Sequence, residues 1–162
     1  MDYDKNVLEI IAKIIPRIVL MSSQKSKATD SIDVCLLRDD TEQKSAQLLK
    51  NAIKANYPKG IKNTPINFVI SDFDNANACR HSQITFMFNS NNKKIRETVT
   101  VLNQFQLLTM SYDEKFLEHG VGLSLFIGKK VVPYINTQAI FDNNIEINNM
   151  LLRVSKIYQK KN

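Results

Sequence analysis

The chain has 162 residues, 43% of them apolar and 23% charged, with a formal net charge of +6. That length suits a domain with its own core, since a chain of about 150 residues buries roughly two-thirds of its unfolded surface, and the composition excludes a disordered segment or a coiled coil. No run reaches the roughly 20 apolar residues of a spanning helix, because Lys13, Pro16 and Arg17 interrupt the longest stretch.

In chain order, Asp4 to Met21 reads as an amphipathic helix, with Val7, Ile10, Ile11, Ile14, Ile15 and Ile18 on one face and a kink expected at Pro16. Ser22 to Asp30 is a polar loop, and Ile32 to Leu37 a strand buried on both faces. Asp40 and Gln43 resemble a capping pair before a second helix that buries Ala46, Leu49 and Ile53 and stops at Tyr57–Gly60. Strands follow at Ile66–Ser71 and Ile84–Phe88. Ser90 is the expected cap of a third helix carrying Ile95, Val99 and Leu102 inward. Leu107–Met110 is a brief strand and Tyr112–His119 a helical turn. Val121–Ile127 and Val131–Ile135 form a hairpin across Gly128-Lys129-Lys130. Asn136–Asp142 reads as a short helix, and Ile147, Met150, Leu151, Val154, Ile157 and Tyr158 mark a final one.

Alternating strands and helices imply right-handed crossovers. The expectation is an α/β single-domain three-layer sandwich over residues 1–162. It has a mostly parallel sheet, an antiparallel C-terminal hairpin edge, helices on both faces, and fraying only at 1–3 and 160–162.

The basic charge does not read as a nucleic-acid surface. Lysines occur as scattered pairs (Lys25/Lys27, Lys93/Lys94, Lys129/Lys130, Lys160/Lys161), Trp is absent, and no aromatic, glycine-rich strand offers a stacking platform. Catalytic constellations are missing too. There are two histidines, His81 and His119, near element ends, no cluster with metal-ligand spacing, no GxSxG elbow, and four glycines in all. The reading is a non-enzyme with no metal and no cofactor.

Asp39-Asp40 follows the first strand, where receiver domains of two-component signalling hold Mg²⁺. A receiver also needs an aspartate ending its third strand, and here that position is Asn89. The plainer reading is that the pair caps the second helix. For Cys35, inside the first strand, and Cys79, before the third, the residues alone leave two readings open: buried free thiols, or a bridge closing a roughly 40-residue loop, worth about 4 kcal/mol.

Several segments together resemble the YfiR/HmsC-like family of bacterial periplasmic regulators. Leu107-Leu108-Thr109-Met110-Ser111 is similar to the family's "vLTVsd" strand, and Gly120 to Leu125 to its glycine-led strand. Val131 to Asn136 is similar to "vrFeIN", and Ile147 to Tyr158 to the closing "issqLLrLA". Upstream, Ala78-Cys79-Arg80-His81 with Ile84–Phe88 resembles "aCHvlfis", and the strand holding Cys35 resembles the family's first strand. The chain departs from the pattern where Ile18 to Met21 replaces "veWP" and where Val132, Pro133 and Tyr134 precede a retained Asn136. The resemblance implies a Cys35–Cys79 disulfide and a periplasmic address. The chain's first residues, with Asp2, Asp4 and Glu9, make no secretory leader. That fits a cytosolic protein, or equally a mature chain whose leader has been removed.

The function so implied is a regulatory or sensory domain that binds a membrane signalling protein, of diguanylate cyclase or histidine kinase type, from the periplasmic side. Met21, Phe73, Phe105 and Phe116 are candidates for an apolar partner surface, and a homodimer is compatible with this reading. A second reading is a small-ligand receptor that uses Arg38, Asp39 and Asp72 at the carboxyl ends of the strands, with Asn136 a further candidate contact. A third is a degenerate cytosolic receiver, which requires free thiols.

Overall fold

In a computed structural model of the chain, residues 3–22 and 30–160 are described. Most of the Ser22–Asp30 loop therefore lies outside them. Seven strands form one sheet in the order β2-β1-β3-β4-β5-β6-β7. They are β1 (Ile32–Arg38), β2 (Ile66–Asp72), β3 (Ile84–Met87), β4 (Leu108–Ser111), β5 (Leu123–Ile127), β6 (Val131–Ile135) and β7 (Lys156–Ile157). All pairings are parallel except β5 with β6.

The strand alternation divides the interior in two. Ile32, Val34 and Leu36 of β1, Ile84 and Phe86 of β3, and Leu123 and Leu125 of β5 point into the larger core. There they meet α1 (Lys5–Met21) and α2 (Gln43–Asn56), together with Ile140 of α4 (Thr137–Asp142) and Leu151 of α5 (Asn149–Arg153). Cys35, Leu37 and Met87 point the other way and meet α3 (Asn92–Gln104) and two 3₁₀ segments, Phe73–Cys79 and Glu114–His119. Helices thus cover both faces of a mixed, mostly parallel sheet.

α1 begins where the Asp4 carboxylate accepts from the Val7 N–H at 2.8 Å, and it continues through a buried Pro16 to Met21 without a break. The cap of α3 is Asn91, whose Oδ1 accepts from the Lys94 N–H at 2.8 Å; the expected cap, Ser90, instead donates to Asp39. Asp40 opens a 3₁₀ turn, Asp40–Glu42, rather than α2 itself, and Gln43 reaches back to it at 3.4 Å.

The C-terminal helix is shorter than its periodicity suggests. It ends at Arg153, and the chain then extends as β7 alongside β6, with Tyr158 N–H donating to Ile135 O at 2.7 Å. Sheet pairing outside β6 overrides the helical spacing of Val154, Ile157 and Tyr158. Tyr3, expected to fray, is 8% exposed and bonded to Asn89.

Candidate functional site

Residues from β1, β2, β3 and β4 converge at the carboxyl edge of the sheet, the usual binding crevice of parallel α/β folds. Arg38 and Asp72 are register partners at the ends of β1 and β2. They share a face, yet the Arg38 guanidinium turns instead to the exposed Asp40, 3.8 Å away. The Arg38 side chain is only 17% exposed, and its Nε has no hydrogen-bond partner among the described residues. A buried donor without a partner is uncommon in folded proteins.

Asp39 belongs to the opposite side. Its Oδ2 accepts from Ser90 Oγ at 2.7 Å and its Oδ1 from Lys94 Nζ at 3.0 Å. The hydrogen bond to Asp39, and then the charge of that carboxylate, raise the Lys94 pKa above its ordinary value. Beside this pair, Phe73, Asp74, Asn77, Thr98 and Val101 line a shallow groove of about 240 Å³ between the Phe73–Cys79 segment and α3. The sheet therefore separates Asp39 from Arg38 and Asp72, which the sequence reading had grouped in one crevice.

Asn136 lies away from this edge and its side chain is committed to the fold. Oδ1 caps α4 by accepting from the Ala139 N–H at 3.1 Å, and Nδ2 donates to Leu117 O at 2.8 Å. The backbone N–H donates to Gly122 O at 2.9 Å.

The parts played by three residues escaped the sequence reading. Tyr3 donates to Asn89 Oδ1 at 2.8 Å and accepts from the Asn89 N–H at 2.9 Å, tying the start of the chain to the end of β3. Burial against Phe88 and Tyr112 pushes its pKa well up. Ser90 and Lys94 were separable from solvated surface only by their i, i+4 spacing at a helix start, a weak signal.

Below the edge, Cys35 and Cys79 form a disulfide with Cα atoms 5.4 Å apart. Both cysteines are fully buried in the smaller core. The bond fixes the last residue of the Phe73–Cys79 segment against the middle of β1, and so holds one wall of the groove. Of the aromatic and Met candidates for a partner surface, Phe73 and Phe116 are buried in the same core, Phe105 packs against it, and Met21 packs against the larger one. Among the described residues the exposed large apolar side chains are Leu48, Val69, Ile127, Phe141, Met150, Val154 and Ile157. His119, near an element end as expected, is only 13% exposed and lies between Arg96 and Glu118.

Among the described residues no three His, Cys, Asp or Glu side chains converge as a metal site would require. No helix of these residues is long and apolar enough to cross a membrane.

Comparison with solved structures places the fold. A conserved domain protein from Vibrio cholerae O1 biovar El Tor superposes with a TM-score of 0.62 at 12% identity, over 94% of this chain and 60% of that one. An ABC domain from Streptococcus pneumoniae, solved with L-Trp, gives 0.59 at 12% identity, over 88% and 61%. The chain thus spans about three-fifths of the length of these neighbours, and at such identity they speak for the fold alone. No curated protein sequence matches the chain. The family model described as YfiR/HmsC-like matches residues 13–156, nearly the whole chain and both cysteines, so the protein belongs to the YfiR/HmsC-like family.

Proposed function

We propose that this chain is a non-catalytic regulatory domain that binds a membrane-anchored signalling enzyme, of diguanylate cyclase or histidine kinase type, in the periplasm and modulates its output. The observation that carries this reading is the family match across residues 13–156. The Cys35–Cys79 bond supports the compartment, because such bonds persist in oxidising environments. It also speaks against a cytosolic receiver, which needs those thiols free. The carboxyl edge is the contact surface we favour. There the largely buried Arg38, whose Nε has no hydrogen-bond partner among the described residues, is suited to a carboxylate from the partner.

The same arginine favours one second reading, an anionic small ligand held at Arg38. Affinity capture from membranes with wild-type and R38E protein separates the two. Recovery of a signalling enzyme by wild type and its loss with R38E support the partner reading. Recovery of none, with a melting temperature raised by a carboxylate metabolite in wild type alone, supports the ligand.

A further inference from the structure

The net charge of the protein is concentrated in one layer. α1 contributes Lys5, Lys13 and Arg17, and α2 contributes Lys44, Lys50 and Lys54. The loop 57–65 that leads into β2 adds Lys59 and Lys62, and the only carboxylate in these three segments is Glu9. Their formal charge is +7, whereas the whole chain carries +6, so the rest of the chain is close to neutral. Although separated in sequence, these residues share a face. α1 and α2 lie side by side, with Tyr57 Oη donating to Lys13 O at 2.8 Å and Asn56 Nδ2 to Glu9 Oε2 at 3.3 Å. Both helices bury their apolar sides in the larger core, which turns the basic residues outward. Seven of the eight are exposed, and Lys50 is half-buried over the Phe68 ring.

The fold itself makes little use of these charges. Surface cations commonly serve in ion pairs or at the negative ends of helix dipoles. Among the described residues none of the eight takes part in an ion pair, and only Lys54 stands in the last turn of its helix. On the same face Leu48 is 45% exposed, and beside it Tyr3, Leu8 and Ala52 line an apolar groove of about 390 Å³ between the two helices. Basic residues around an exposed apolar side chain are the combination that holds a protein on an anionic bilayer, because charge draws the face to the headgroups and apolar contact adds to it. All but one of the cations are lysines, compact point charges on flexible stems that suit an array of phosphates. Recognition of a nucleic acid relies instead on arginine forks and stacked aromatic rings.

We infer that the outer face of α1 and α2 is a docking surface for an anionic phospholipid bilayer, its lysines set against the headgroups and Leu48 between them. Co-sedimentation with vesicles of phosphatidylcholine, with and without about 30% phosphatidylglycerol, reads the contact at about 0.05 M salt. The vesicles hold no protein, so the result is independent of any signalling partner. Wild type is expected to bind the anionic vesicles at least about tenfold more tightly than the zwitterionic ones, and to leave them at about 0.5 M salt. K13E/K44E/K59E, one change in each segment, is expected to lose at least about tenfold in affinity, with a melting curve like wild type because all three side chains are exposed. K13Q/K44Q/K59Q, gentler on the fold, is expected to lose at least about threefold. K93E/K129E/K130E makes the same change in net charge on α3 and the β5–β6 turn, and is expected to stay within about threefold of wild type. L48S keeps the charge and is expected to weaken binding about threefold. Wild type that ignores the anionic vesicles at about 0.05 M salt overturns the inference, even where whole membranes retain it through their proteins. An equal loss in the two charge-reversed variants also overturns it, since net charge and not this face is then the cause. So does release by glycerol phosphate at the phosphate concentration of the vesicles, which marks a site for free phosphate.

Discussion

Asp39 at the end of β1 and Lys94 in the first turn of α3 stand 55 residues apart in sequence and 3.0 Å apart in space, carboxylate to ammonium. With Ser90 donating to the other Asp39 oxygen, the contact ties the carboxyl end of a central strand to the helix that covers the smaller core.

Replacing Asp39 by Asn should therefore loosen the start of α3 and lower the melting temperature at neutral pH. The sign follows from Lys94, whose folded pKa is raised. A raised pKa stabilises the fold fully below the ordinary lysine value of about 10.4 and is lost as pH rises through the folded value. The gap between wild type and D39N should be full at pH 7 and narrow above about pH 10.4. Because both groups are accessible, it should also shrink in about 1 M salt. Denaturant titrations at two pH values and two salt concentrations read both effects.

Tyr3 offers a larger alkaline effect. Burial raises its pKa, so the neutral phenol stabilises the fold below the ordinary tyrosine value near 10 and that contribution falls as pH rises above it. Tyr3→Phe removes both hydrogen bonds to Asn89 and should cost about 1–3 kcal/mol at pH 7. It should also flatten the loss of stability between about pH 10 and 11. An equally steep alkaline loss in Y3F would show that other groups drive it.

The disulfide joins residues 44 apart in sequence. In the chain-entropy model a bond of this span is worth about 4 kcal/mol. The double variant C35A/C79A should unfold at correspondingly lower denaturant, and reductant should destabilise wild type while leaving the variant unchanged. The Phe73–Cys79 segment should show the largest gain in amide exchange, since the bond holds its last residue to β1.

Asn136→Ala should destabilise by about 1–3 kcal/mol, losing a helix cap and a donor to a buried carbonyl together. Asn136→Asp keeps the cap acceptor and loses the donor to Leu117 O, so its stability should fall between wild type and Ala. Partner binding that drops in N136A while its melting temperature is unchanged would return Asn136 to the binding surface.

Most elements were legible because their apolar residues repeat at the period of the structure they form. Val7 to Ile18 repeat as a helix, and the run Ile32 to Leu37 is apolar on both faces, as a central parallel strand must be. The last helix misled for the same reason. Met150, Leu151, Val154 and Ile157 carry helical spacing, but a free β6 edge offers backbone partners that local periodicity does not register.

The sequence by itself determined the class of fold, the strand and helix order as far as the last helix and, through its family pattern, the pairing of Cys35 with Cys79. These depend on hydrophobic period and on motif order, both written along the chain. Only the tertiary structure decided which side of the sheet each polar residue faces. One step along the backbone from Arg38 to Asp39 moves a side chain from the α1–α2 face to the α3 face, where Ser90 and Lys94 hold it. The tertiary structure likewise gave Asn136 its three fold contacts and left β2, a strand of ordinary composition, at the open edge, because strand order is set by packing between distant segments.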